Sequence, residues 1–146
     1  MCWEGVGYAT RIEGRMDGEL YEQILEDELQ DSIDYYEIKL DKLWFQQDND
    51  PKHTSKHAKN WFKDHKIKVM IWPAQSPDLN PIEHLWNYVK NKLKEFDEPP
   101  NRVQELWERV EELWEKIPAA ECQKLIESMP RRVQAVYKAK GGYTKY

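Results

Sequence analysis

Two carboxylates in this 146-residue chain stand where chemistry is commonly done, Asp48 and Glu83. Asp48 sits in Trp44-Phe45-Gln46-Gln47-Asp48-Asn49-Asp50-Pro51-Lys52-His53-Thr54. Glu83 sits in Trp72-Pro73-Ala74-Gln75-Ser76-Pro77-Asp78-Leu79-Asn80-Pro81-Ile82-Glu83-His84-Leu85-Trp86. Each piece begins as an apolar strand and breaks at Pro or Asn/Asp turn chemistry. A carboxylate just past the carboxyl end of a buried strand lies where open α/β sheets bind ligands, and carboxylate oxygens suit a hard divalent cation. A plainer reading stands beside this one. Asn80 at the N-cap, Pro81 at N1 and Glu83 at N3 also spell a capping box, and Asp48-Asn49-Asp50-Pro51 taken alone is a turn.

The two pieces occur together, with 34 residues between Asp48 and Glu83. In that register, Phe45–Ser55 and Trp72–Trp86 resemble the catalytic domain of DDE transposases of the Tc/mariner superfamily. The tail Ser128-Met129-Pro130-Arg131-Arg132, with Lys138-Ala139-Lys140-Gly141-Gly142-Tyr143-Thr144-Lys145-Tyr146, resembles the C-terminus of that family, so the likeness covers nearly the whole chain. It implies an α/β, ribonuclease-H-like fold and DNA cleavage and joining on Mg²⁺ or Mn²⁺. It also implies DNA as partner and a nuclear location. Asp48 matches the second of the family's three metal-binding carboxylates and Glu83 the third. The first, on the fold's opening strand, has no counterpart, and the family's helix-turn-helix region has none either. Asp17 falls at a helix start and Asp31, Asp34 and Asp41 in a polar connection. The resemblance therefore implies a catalytic domain without its first strands, with weakened metal binding and no activity by itself.

The elements that must position these residues follow from periodicity. Tyr8–Ile12 alternates like a strand, and Asp17 caps a helix to about Leu29 whose acidic run Glu26-Asp27-Glu28 reads as its solvated face. Leu43–Gln47 is the strand that delivers Asp48. Thr54 or Ser55 caps a helix to about His65, with Ala58, Trp61, Phe62 and His65 on its apolar face. Lys52, Lys56, Lys59 and Lys63 recur at helical spacing on the other face. With His53, and with Arg131 and Arg132 in the tail, they are candidate contacts to DNA phosphates, although a lysine stripe also serves as a solubilising surface. Ile67–Trp72 is nearly all apolar after Lys68, which predicts a strand buried on both faces. Pro81 opens a helix with Ile82, Leu85, Trp86, Val89, Leu93 and Phe96 as its stripe, ended by Pro99-Pro100. Val103, Leu106, Trp107, Val110, Leu113, Trp114 and Ile117 form a further stripe, expected to pack back onto the domain. Ala119–Met129 makes one more helix, and the basic tail after Pro130 reads as a poor core former.

Strands alternating with helices predict an α/β layer with parallel pairing, divided as a partial catalytic domain over residues 1–97 and a helical extension with basic tail over 98–146. The net charge of −5 is unevenly spread. Residues 1–43 carry 12 acids and 4 bases, whereas residues 118–146 carry 2 acids and 6 bases. The 34% charged content leaves no membrane span, and Cys2 and Cys122 form neither a disulfide framework nor a zinc site. Two other function classes remain: a non-catalytic DNA-binding module, and an interaction or homo-oligomerisation module using the 102–117 helix. Metal-dependent nicking, salt-sensitive DNA binding without nicking, and self-association without DNA binding separate the three.

Overall fold

The computed structural model describes residues 1–142 and 144–146; Tyr143, part of the C-terminal motif, lies outside the described residues. The chain forms two compact units, one from Gly7–Gln75 and one from Met1–Val6 together with Ser76–Tyr146.

In the first unit, α1 (Gly18–Ile24) opens where Asp17 accepts the N–H groups of Glu19 and Leu20, as its cap chemistry predicts. The helix does not stop at Leu29. A wide π-type turn spans Leu25–Leu29, and α2 continues over Gln30–Tyr35, so Asp31 and Asp34 are helical and not in a connection. The wide turn has a packing role. At about 100° per residue, eight residues would leave Ile33 about 80° away from Leu25, and a turn with more residues per revolution returns it to the same face. Both are buried in a core with Tyr21, Ala58, Trp61, Phe62 and Ile67.

Helix α3 (Lys56–Asp64) is capped by Ser55, whose Oγ accepts from Ala58 N–H, while the Thr54 hydroxyl donates to Asp50 O. It packs against α1 closely enough that a Cβ on Gly18 would come within 2.9 Å of the Ser55 side chain. Its C-terminus closes with Ile67 N–H on Phe62 O and Lys66 N–H on Lys63 O, and Lys66 takes φ +57°. That is a Schellman motif with lysine where glycine is usual.

Strands β1 (Trp44–Phe45) and β2 (Lys68–Val69) pair in parallel, Trp44 opposite Lys68 and Phe45 opposite Val69, as the strand–helix–strand order predicts. Two expectations are corrected. Ile67–Trp72 is not a strand buried on both faces: beyond Ile67 the segment emerges, and Ile71 is fully exposed. Tyr8–Ile12 forms no strand either. A ladder needs a partner, and among the described residues β1 and β2 pair with each other alone; Tyr8 N–H is satisfied by Ser32 Oγ instead. The acidic run is also not purely solvated, since Glu26 accepts from Trp61 Nε1.

The second unit is helical. A 3₁₀ turn (Pro77–Leu79) precedes α4 (Ile82–Leu93), followed by α5 (Val103–Glu115), α6 (Ala119–Glu127) and α7 (Met129–Lys138). Leu85 and Val89 of α4 are buried, and α5 packs back on α4 through Trp114, whose ring stacks on Trp86 at 4.7 Å. Phe96 lies beyond the end of α4 and is exposed, with Arg109 over its ring. The tail differs most from expectation. Pro130 does not end a helix but stands in the first turn of α7, where its missing N–H costs nothing.

Candidate functional site

Asp48 is three residues past the end of β1, and its position is set by two consecutive side-chain-to-backbone turns. Its Oδ1 accepts from Asp50 N–H at 3.0 Å; Asp50 Oδ1 in turn accepts from Lys52 N–H at 2.9 Å. Such Asx turns are the reason an Asp-Asn-Asp-Pro run folds locally without a partner strand. Lys52 Nζ completes the second turn at 3.1 Å from Asp50 Oδ2. Lys52 N–H and ammonium together hold the Asp50 carboxyl below its ordinary pKa. Asn49 donates to Trp72 O at 2.9 Å, which ties the loop to the segment after β2.

Behind the loop, His53 Nδ1 lies 2.6 Å from Asp48 Oδ1. The His53 ring rests on Tyr21 with centroids 4.3 Å apart, Tyr21 donates to Gln47 Oε1 at 2.7 Å, and Gln47 Nε2 donates to His53 O at 3.0 Å. Burial first, and then the negative charge of Asp48, raise the Tyr21 phenol's pKa, so it is a firm donor. The Asp48 side chain is 60% exposed. Its Oδ2 takes no hydrogen bond among the described residues, leaving one carboxylate oxygen open to a ligand.

Glu83 belongs to the other unit. Pro81, not Asn80, is the N-cap of α4, and no side-chain cap bond forms there. Glu83 is exposed in the first helical turn, and the predicted capping box is not made. Neighbouring Asp78 is engaged: its Oδ2 accepts from the Thr144 hydroxyl and its carbonyl from Arg132 Nη1, both at 2.9 Å. Burial first, and then the charge of Arg132, lower the pKa of His84.

The candidate DNA contacts divide. Lys56, Lys59 and Lys63 lie exposed on α3. Lys52 precedes that helix and is tied to Asp50, and His53 faces Asp48. Arg131 is exposed, but Arg132 is 2% exposed, bonded to Ser128 Oγ and Asp78 O, with Tyr146 under its guanidinium. It is an internal strut, and a DNA contact by Arg132 is withdrawn. Sequence reasoning passed over Lys138 and Lys145, which with Arg131, Gln134 and Tyr146 border a cleft of about 460 Å³ on α7. The basic excess of the tail was the signal for them. Tyr21 and Gln47 were hidden because one reads as core and the other as strand.

The donor chemistry at Asp48 fits a hard cation: an exposed carboxylate with one oxygen fixed and the other open. Among the described residues no group of three or more His, Cys, Asp or Glu side chains is placed to hold an ion.

Residues 1–107 match the family model described as DDE superfamily endonuclease. Both Asp48 and Glu83 fall inside that match. The chain belongs to the DDE endonuclease superfamily, in its Tc/mariner branch. It is 44% identical over 142 residues to the transposable element Tcb1 transposase of Caenorhabditis briggsae, covering 97% of this chain and 50% of that protein. To the Tc1 transposase of Caenorhabditis elegans it is 47% identical over 107 residues, 70% of this chain and 37% of that one. The chain thus spans about half the length of the Tcb1 protein or less of these relatives. The Mos1 transposase catalytic domain, solved with raltegravir and Mg, superposes with a TM-score of 0.86 at 21% identity, over 98% of this chain and 73% of that one. The Mos1 paired end complex with Mn gives the same TM-score at 20% identity, over 98% and 43%. At such identity the likeness establishes the fold, which is ribonuclease-H-like.

Proposed function

We propose that this chain supplies part of the metal-dependent centre of a DNA transposase, with Asp48 and Glu83 as ligands to Mg²⁺ or Mn²⁺. The observation that carries the reading is the family match over residues 1–107, which contains both carboxylates in their motifs. When bound, divalent ions activate the attacking oxygen and stabilise the leaving one in phosphodiester chemistry. The chain's own part is to present Asp48 Oδ2 from a fixed loop and Glu83 from the first turn of α4. On this reading each carboxylate would supply oxygen ligands to the ion. Anomalous scattering from Mn²⁺-soaked crystals tests it. Density bridging Asp48 and Glu83 is expected, and an ion bound to neither carboxylate overturns the assignment. Two carboxylates leave an ion weakly held, which is the basis for expecting no cleavage by the chain alone.

DNA is the proposed partner and the nucleus the proposed location, the latter testable by imaging a tagged chain. A second reading, DNA binding without catalysis, is favoured by exposed Lys56, Lys59 and Lys63 and by the cleft carrying Arg131, Lys138 and Lys145. A third, self-association, would use Val103 and Leu106, which α5 leaves exposed. Sedimentation across a concentration series with and without DNA separates it from the other two.

A further inference from the structure

We propose that His53 is a positioning residue for Asp48, fixing the carboxylate so that Oδ2 alone faces a bound cation; this rests on the metal-ligand reading of Asp48. The sequence offered His53 as a DNA contact. In the folded chain its Nδ1 is instead 2.6 Å from Asp48 Oδ1. The same oxygen accepts Asp50 N–H, so Oδ1 has two donors and Oδ2 none among the described residues. With two donors on Oδ1 both of its lone pairs are engaged, so Oδ2 is the oxygen that would be offered to a cation, in a direction set by those two bonds.

The histidine is itself held at its ring and at its carbonyl, and the group on its carbonyl is fixed in turn. Tyr21 packs against its ring, Gln47 Nε2 grips its carbonyl, and Gln47 Oε1 is fixed by the Tyr21 hydroxyl. Tyr21 is a core residue of the unit, 8% exposed. The chain Tyr21–Gln47–His53–Asp48 therefore links the hydrophobic core to the open carboxylate oxygen. In this tautomer Nδ1 carries the proton and donates to Oδ1. Hydrogen-bond partners of metal ligands hold them in orientation, and losing one typically costs about 10–100-fold in metal affinity.

The rival explanation is that His53 serves only as a ring packed on Tyr21. Two substitutions make opposite predictions. His53→Phe keeps a ring on Tyr21 and loses the nitrogen. His53→Asn loses the ring but keeps an N–H donor near the Nδ1 position. Mn²⁺ binding to the full chain is measured by electron paramagnetic resonance for the parent, Asp48→Asn, His53→Phe and His53→Asn, with a thermal melt of each. Positioning predicts that Asp48→Asn abolishes the site, His53→Phe weakens it about 10–100-fold with little change in melting, and His53→Asn binds close to the parent. If Asp48→Asn abolishes binding but His53→Phe binds like the parent, the positioning role is overturned and the metal reading stands. If His53→Asn binds no better than His53→Phe, the hydrogen bond is not the cause and the role is again overturned. If Asp48→Asn binds like the parent, the metal reading fails and the positioning role falls with it.

Discussion

Arg131 and Arg132 are adjacent in sequence, yet they serve different purposes. Arg132 sits where the helical turn points inward, bonded to Ser128 Oγ and Asp78 O; Arg131 is on the solvent side. Hydrogen bonds to a charged group contribute about 1.5–3 kcal/mol each. Arg132→Ala should therefore destabilise the protein by at least about 2 kcal/mol, while Arg131→Ala should stay within about 0.5 kcal/mol of the parent. Urea unfolding of both variants measures this, and equal midpoints would refute the division. Glu83 supports a second prediction. Without a capping box to lose, Glu83→Gln should leave the melting temperature unchanged. If Glu83 is a ligand, the same change should weaken Mn²⁺ binding; unaltered affinity in a titration would leave Glu83 an ordinary surface residue.

Helix ends and helix contacts decide how the elements hold together. Three helices finish without glycine in the left-handed position, using Glu37 (φ +50°), Lys66 (φ +57°) and Lys140 (φ +51°). A side chain in that region costs roughly 1–2 kcal/mol, partly offset by the entropy a glycine loses on folding. Lys66→Gly should accordingly raise stability by up to about 1 kcal/mol, seen as a higher urea midpoint at unchanged slope. Trp114 is the corresponding weak point of the α4–α5 pair, being 5% exposed and stacked on Trp86. Trp114→Ala should cost about 3–5 kcal/mol, whereas Val103→Lys at the exposed end of the same helix should change stability by less than about 0.5 kcal/mol. Comparing the two melts tests whether α5 is held by its C-terminal half.

For the molecule as a whole, the relevant facts are a net charge of −5 with its bases gathered locally, and a length about half that of the Tcb1 relative. Exposed Lys56, Lys59 and Lys63 share one helix, so phosphate contacts there should act together. Each lysine replaced by alanine should lower the slope of log affinity against log salt by about 1. A slope unchanged in the triple variant would assign the stripe to solubility. The chain incubated with labelled duplex and Mn²⁺ should not nick DNA. Nicking that disappears in Asp48→Asn would refute this.

Local sequence determined what local forces control. Asp17 and Ser55 cap their helices because a side-chain oxygen needs only the next N–H groups in the chain. The apolar face of α3 follows from periodicity, and Asp48 and Glu83 stand out by motif and register alone. Tertiary packing decided the rest, because it depends on partners distant in the chain. Tyr8–Ile12 has the alternation of a strand but pairs with no strand among the described residues, and Ile71 has the composition of a buried strand but stands fully exposed. The π turn at Leu25–Leu29 is invisible to a 3.6-residue template, since it exists to bring Ile33 back onto the core. His53 read as a cation for DNA until its ring was placed on Tyr21 and its nitrogen on Asp48, contacts that span 32 and 5 residues. Arg132 read as surface because a buried guanidinium is recognised only once the carbonyl of Asp78, 54 residues away, is seen to receive it.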